Sequence, residues 1–405
     1  MRIAYITVRT PYGPGESFVI PEVRGLISSG MEVMVFPVLP QRKIWHESLC
    51  DLVESCHVIS TFSFKIIWFA LHCLANKPLT AIHAVYSVLK SSRSIKILLK
   101  NITIIPRSLA AATIFTKYGI DHIHAHWGAR TATLALLVSK ITSIPWSFTA
   151  HRWDIYENNL LNQKIESAAF VRCISRKGRD DIIAISGASR EMASKVRVIH
   201  MGVSLPGGQC APKSMGDRRL RIAVPANMLP VKGHRYLIEA ITLLLEAGDI
   251  DVTCAFLGDG PLENGLRQQV NDAGLQSVIT FPGRVAHDLL MEAYRHGKFN
   301  VVVLPSINTD DGQYEGIPVC LIEAMAHFLP VISTRTGSIP ELVDEETGIL
   351  VEEKNPYELA AALRLIANGG KKIEDMISAA YRRVTCEYES SSVVAQLIES
   401  FRRAS

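Results

Sequence analysis

Two carboxylates, Glu315 and Glu323, bracket the step Gly316-Ile317-Pro318-Val319 in the segment QYEGIPVCLIEAMAHFLPVIS. Acidic side chains in so apolar a segment are costly unless a protein group or a ligand pairs with them. Pro318 lacks a backbone donor and has a preset φ, so the sequence predicts a helix with Pro318 at its first position. Glu315 and Gly316 then lie in the loop before it. The N–H groups that open such a helix form an anion site, to which the helix dipole adds about 0.3–1 kcal/mol. Gly316 leaves room for a ligand to approach the backbone. Glu323, between one and two turns in, reaches another part of the same ligand. A nucleoside diphosphate sugar would satisfy every group: diphosphate on the amides from Gly316 to Val319, sugar hydroxyls on Glu315, and the ribose diol on the two oxygens of Glu323. Spacing alone favours a plainer arrangement, with Glu315 capping a helix and Glu323 paired to a nearby Lys or Arg.

Histidines supply the other candidates. His151 follows the strand-like WSFTA and is expected at a strand's carboxyl end. His122, His124 and His126 alternate along DHIHAHW and share one face. Metal ligation by this trio lacks a carboxylate or Cys at close spacing, so no metal is expected. His122 and His124 read as structural. His126, nearest the strand end, is a candidate acceptor or donor contact.

These residues need elements to hold them. Short β-branched runs such as RIAYITV, WSFTAH, RIAVPAN and FNVVVLPS alternate with helical stretches such as HRYLIEAITLLLEAG. That alternation predicts an α/β chain with parallel sheets covered on both faces. Gly, Pro, Ser and charge crowd together in SLPGGQCAPKSMGDRRL, which reads as a linker. The expected division is a Rossmann-like domain over 1–205, a linker over 206–219, a second Rossmann-like domain over 220–375, and a helical segment over 376–405 that packs back toward the first. The default ligand site of two doubly wound domains is the cleft they face.

The 405 residues are 48% hydrophobic and 20% charged, with a formal net charge of +4. This composition excludes a disordered chain and gives no support to nucleic-acid binding. Eight scattered cysteines without a Cys-x-x-Cys pair suggest reduced thiols in a cytoplasmic protein. The N-terminus enters a strand-like run at once and does not read as a signal peptide. From His57 to Ile120 there is no Asp or Glu, while Lys65, Lys77, Lys90, Arg93, Lys96, Lys100, Arg107 and Lys117 are interleaved with apolar residues. No uncharged apolar window reaches about 18 residues, the length of a membrane span. The 57–120 stretch is expected instead to lie on an anionic membrane surface, at the inner face of the cytoplasmic membrane.

The segment EGIPVCLIEAMA, followed by PVISTRTGSIPELVDEETGILV, resembles the retaining GT-B glycosyltransferases of family 4. PANMLPVKGHRYLIEAI resembles the family's strand–loop–helix with a phosphate-binding lysine, here Lys232. AFLGDGPLENGLR and ITFPGRVAHDLL, the latter carrying Arg284 and Val285, resemble its next segments. DHIHAHWG, SFTAHRWDIY and VRVIHMGV are similar to the exopolysaccharide-building, colanic-acid-type subset. The resemblance covers nearly the whole chain and is looser between residues 40 and 110. It implies a GT-B fold and sugar transfer from a nucleotide donor, with UDP the commonest, to a lipid-linked or growing polysaccharide acceptor.

The resemblance also implies roles. His151 would contact the donor sugar near the reacting carbon, and Glu315 would position that sugar. Lys232 and the helix start would stabilise the leaving diphosphate without a metal or other cofactor. Asn227 stands where the family often has Arg, so the site would depend more on Lys232. Gly13 and Gly15 permit a tight loop near the diphosphate, and Glu16 and Ser17 would sit at the cleft.

Alternatives remain open on residues alone. A metal-dependent transferase needs an Asp-x-Asp at a strand end, whereas Asp249-Ile250-Asp251 precedes a strand. A nucleotide-sugar epimerase shares the fold. GPGESF lacks the third glycine of a dinucleotide fingerprint. A membrane-surface scaffold that has lost its chemistry would account for Asn227.

Overall fold

The structure, a computed structural model, describes residues 1–10, 16–40, 56, 63–207, 218–248 and 250–404, with the side chain of residue 17 left out. Gly13, Gly15 and most of the expected linker therefore lie outside the described residues. The chain forms two compact units, Met1–Gly202 with Val393–Ser405, and Val203–Ser392.

The first unit is built on a six-stranded sheet: β1 (Arg2–Thr7), β2 (Glu32–Pro37), β3 (His122–His126), β4 (Trp146–Ala150), β5 (Phe170–Cys173) and β6 (Val196–Val198). The order is β2-β1-β3-β4-β5-β6, with every pairing parallel. β3 and β4 are buried at every residue, as parallel strands covered on both faces must be. Register places Tyr5 beside His124, His124 beside Ser147, His126 beside Thr149 and Thr149 beside Arg172. One face of this sheet is therefore polar at its centre. The helix Ile20–Ser28 and the C-terminal helix cover it, joining Tyr5, Val23, Phe170, Val394, Leu397 and Phe401 in one cluster. Gly25 permits that packing, because a Cβ there would stand 2.6 Å from Val394.

The second unit contains β7 (Arg219–Val224), β8 (Asp251–Phe256), β9 (Ile279–Thr280), β10 (Val301–Leu304), β11 (Val331–Thr334) and β12 (Ile349–Val351). Their order, β12-β11-β10-β7-β8-β9, runs outward in one direction from β7 and in the other from β10. The switch point of this doubly wound sheet lies between those two strands, where loops diverge and leave a ligand crevice.

The helical segment expected to begin at 376 is divided differently. The helix Lys371–Glu387 buries Ile373, Met376, Ile377, Ala380 and Val384 in the second unit's cores. Only from Val393 does the chain join the first unit. Two successive apolar stripes with different partners set this boundary.

One described helix, Ile95–Lys117, is long and apolar enough to cross a membrane, and half of its apolar window is buried. Leu109, Ala111, Ile114 and Phe115 enter the first unit's core, and the Arg107 guanidinium donates to the Pro37 carbonyl at 2.7 Å. It packs as a core helix does.

Candidate functional site

At the carboxyl end of β7 the chain enters a short 3₁₀ turn, Pro230–Lys232, and reverses at Gly233 with φ of +65°. A Cβ at Gly233 would sit 1.9 Å from the Pro305 carbonyl oxygen. Glycine thus lets the β7 loop press against the β10 loop. The contact brings Lys232 Nζ within 2.8 Å of Glu315 Oε2, with the side chains 18% and 14% exposed. Burial opposes the Lys232 charge, but the neighbouring Glu315 carboxylate outweighs it and raises the lysine pKa. The lysine is a fixed cation at the switch point.

Glu315 is held by its backbone as well. Its carbonyl accepts from the Ser338 N–H at 3.1 Å. Gly337, with φ of +58°, allows that approach, since a Cβ there would lie 1.9 Å from the same oxygen. The helix that follows spans Val319–Ala326, and Pro318 is its extended N-cap. The sequence placed Pro318 one position too far in. Its ψ of 120° keeps it outside the helical region, so Val319 and Cys320 supply the opening N–H groups. Gly316 and Ile317 lead into that start.

Glu323 also has a partner. His287 Nε2 stands 2.7 Å from Glu323 Oε1. Burial opposes the His287 charge, and its bonds to Glu323 and Asp288 more than compensate, raising its pKa. Both signature carboxylates are thus ion-paired, and neither pair is the one expected: Glu315 does not cap the helix, and Glu323 faces a histidine. Single pairs of this kind, partly open to water, can yield to a better ligand.

The remaining donor-side candidates are spread around the same strand ends. Asn227 is exposed just beyond β7. Arg284 reaches Asp259 at 2.6 Å and is nearly half exposed. Val285 packs against the second unit's core and offers only its backbone.

In the first unit, three candidates are sealed. Glu16 accepts from the N–H groups of Val8, Arg9 and Thr10, the Thr10 hydroxyl and the Trp127 indole. Its carboxylate lone pairs are used within the protein, so it organises the β1 loop instead of facing a donor. His126 is fully buried; Nδ1 meets the Tyr5 hydroxyl and Nε2 meets His151, each at 2.9 Å. With both nitrogens engaged, His126 is a supporting residue and not a substrate contact. His151 stands at the end of β4 as expected, but is only 7% exposed, and burial lowers its pKa to about 3.

Trp127, at the end of β3, was not singled out from sequence. Its φ is +85°, an outlying conformation for a bulky residue. Its ring lies 4.2 Å from that of His151. Lys164, fully buried, donates to the Gly128 and Ala129 carbonyls at 2.7 and 2.9 Å, clamping the loop after the tryptophan.

The histidine trio gains the carboxylate that the sequence lacked locally. Glu22 lies within 4.8 Å of His124 and His126. The group does not fit a cation. Arg172 is 2.5 Å from Glu22, Tyr5 donates to the other oxygen, and His124 is bound through both ring nitrogens to Ser147 and Thr149.

Known proteins resemble this chain in sequence and in fold. Residues 214–383 match the family described as Glycosyl transferases group 1. A protein named as the colanic acid biosynthesis glycosyltransferase WcaL of Salmonella typhimurium is 33% identical over 309 residues, 72% of each chain. Its namesake in Escherichia coli K12 is 31% identical over 274 residues, 63% of this chain and 64% of that one, so the match spans less than two thirds of that relative. The crystal structure of Anabaena HepE in complex with UDP superposes with a TM-score of 0.69 at 17% identity, covering 99% of this chain and 100% of that one, which establishes the GT-B fold alone. The chain belongs to the group 1 glycosyltransferase family.

Proposed function

We propose that this protein transfers a sugar from a nucleotide sugar, UDP-linked, to a lipid-linked or growing polysaccharide acceptor in exopolysaccharide biosynthesis. One observation carries the reading: Lys232 and Glu315, from the β7 and β10 loops, meet at 2.8 Å beside the open amides of the helix Val319–Ala326. That is the position for a diphosphate leaving group. The relatives named for colanic acid synthesis support the pathway class. The UDP held by the Anabaena protein supports the donor class.

In this reading the diphosphate displaces Glu315 from Lys232 and takes the ammonium and the Val319 and Cys320 N–H groups. Charge that develops on the leaving oxygen meets donors already in place. Glu315, released, accepts from hydroxyls of the sugar, and Glu323 accepts from the ribose diol while His287 holds it. The acceptor hydroxyl attacks from the face the diphosphate leaves, the configuration is retained, and the departing phosphate takes the hydroxyl proton. No metal is required. A panel of UDP-, GDP- and ADP-sugars with and without EDTA tests this. Turnover of a UDP-sugar, undiminished by EDTA, is expected; binding and turnover of none would overturn it.

The acceptor class rests on a second surface. Three helices of the first unit, Phe64–Asn76, Pro78–Lys90 and Ile95–Lys117, each expose a second apolar stripe at helical spacing. The stripes are Phe64, Trp68 and Leu71; Leu79, Ile82 and Tyr86; and Ile95, Leu99 and Ile102, with Phe64 90% and Trp68 70% exposed. Their opposite faces already fill the core with Ile66, Ala84 and Ile104. An exposed lysine or arginine accompanies each stripe, at Lys65, Lys90, Arg93 and Lys96. A peripheral seat on anionic lipid at the cytoplasmic membrane fits apolar stripes rimmed by cations. Binding to anionic vesicles should weaken as salt rises; salt-insensitive or absent binding would remove this part of the reading.

A further inference from the structure

A cavity of about 470 Å³ opens among three helices of the first unit, Phe64–Asn76, Ile95–Lys117 and Arg130–Thr142. No group assigned above to sugar transfer lines it. Its size falls in the range of about 300–1,000 Å³ usual for small-molecule sites. Trp68, Phe69, Ala112 and Ile141 supply apolar wall, and Lys77 and Lys117 supply charge. No Asp or Glu is among the lining residues, in keeping with the acid-free stretch from His57 to Ile120.

The sequence explains the space. Ala112, Thr113 and Thr116 present small side chains where the facing helix carries Trp68 and Phe69. The Thr113 hydroxyl donates to the Phe69 carbonyl at 3.0 Å and that of Thr116 to the Ala112 carbonyl at 2.8 Å. A hydroxyl has one proton to give, so these threonines offer a ligand no donor. The donors are the ammonium groups. Lys77 Nζ donates to the Ile141 carbonyl at 3.2 Å, which holds it at the cavity and uses one of its three protons. Lys117, exposed in the last turn of its helix, adds a second cation. Trp68 and Lys77 stand nine positions apart along one helix, about 13 Å at 1.5 Å per residue. The cavity is therefore aromatic at one end and cationic at the other. Trp68, 70% exposed, also belongs to the apolar stripe of its helix, so the aromatic end borders the surface proposed above to lie on lipid.

We infer that this cavity holds one anionic phospholipid of the bilayer, with an acyl chain along Trp68 and Phe69 and the phosphate on Lys77 and Lys117. A sugar or nucleotide would need acceptors for its hydroxyls, and the lining has no carboxylate. An amphiphile with an apolar tail and an anionic head matches the order of the walls. The stripes attract a surface without counting lipids, whereas the cavity takes one per chain. That the lipid comes from a bilayer rests on the peripheral seat; the chemistry of the cavity does not.

Calorimetry with dioctanoylphosphatidylglycerol, kept below its micelle concentration, tests the cavity without a membrane. Saturable one-to-one binding is expected, about tenfold weaker for the phosphatidylcholine of the same chain length. Lys77→Glu with Lys117→Glu should weaken it about tenfold or more, the worth of the two cations. Thr116→Trp, a change at an exposed lining residue, fills the cavity and should abolish it. Absence of saturable binding, equal binding of the two lipids, or native affinity in Thr116→Trp would overturn the inference. If Thr116→Trp does not fold, the charge reversals decide. Sedimentation with anionic vesicles separates this from the seat itself: vesicle binding without one-to-one binding overturns the cavity site and leaves the seat, and one-to-one binding without vesicle binding does the reverse.

Discussion

The two units place ionisable groups at the carboxyl ends of parallel strands in opposite ways. In the second unit the carboxylates form single pairs that remain partly exposed, Lys232 with Glu315 and His287 with Glu323. In the first, Glu16, Glu22, His124, His126 and Arg172 are buried and joined into continuous networks. A loose pair can exchange its partner for a ligand at small cost, whereas a sealed network cannot. The second unit's carboxylates keep some contact with water, whereas those of the first are closed inside the protein.

The sharpest break of this contrast is Glu22→Ala. It strands Arg172 in the interior, and breaking a buried pair from one side costs about 3–5 kcal/mol. Chemical denaturation should show a loss of that size; a change below about 1 kcal/mol would mean the network is not sealed.

Lys232→Ala should do the reverse. Stability should fall less than in Glu22→Ala, because the Lys232–Glu315 side chains keep 18% and 14% exposure where Arg172 and Glu22 keep 0% and 2%, while turnover of the nucleotide sugar falls about 10²–10³-fold, as for loss of one preorganised charge-stabilising donor. Equal losses of stability and activity would erase the distinction between the units.

Acid separates them further. Burial lowers His122 and His151 to about 3, so between about 6.5 and 3 the unfolded chain binds protons that the folded first unit refuses. Stability of that unit should fall as pH drops through this window. Asp154, raised to about 6 by burial, binds its proton first in the folded state and offsets part of the loss. In the second unit His234, lowered to about 4 by burial, acts as those histidines do. His287 is raised and adds stability below its unfolded value, which is lost as pH rises through its folded value. Hydrogen exchange should therefore show acid-induced opening first in the strands of the first unit; uniform opening would contradict the sealed network.

The smallest effect is expected for His287→Ala. Glu323 loses its orienting partner, and UDP affinity measured by calorimetry should fall about 3- to 10-fold, the worth of about one hydrogen bond. Unchanged affinity would show that Glu323 needs no holder.

Sequence patterning reached the strands and drew attention to Glu315 and Glu323, because β-branched runs and a Gly-Ile-Pro step are local signals; Lys232 was named only through the family resemblance. It did not reach the partners. His287 opens an amphipathic helix and meets Glu323 only across 36 positions of chain. Arg172 meets Glu22 across 150. Register and helix packing create these pairs, and neither leaves a mark within a short window. The same lack of long-range information made Glu16 and His126 look available, when the β1 loop and Tyr5 had already taken their polar atoms.

The most direct test is a crystal structure of the protein soaked with a UDP-sugar. The account predicts Lys232 Nζ and the amides of Val319 and Cys320 on diphosphate oxygens, with Glu315 turned away from the lysine toward the sugar. A bound nucleotide elsewhere, with the Lys232–Glu315 pair still closed at 2.8 Å, would contradict it.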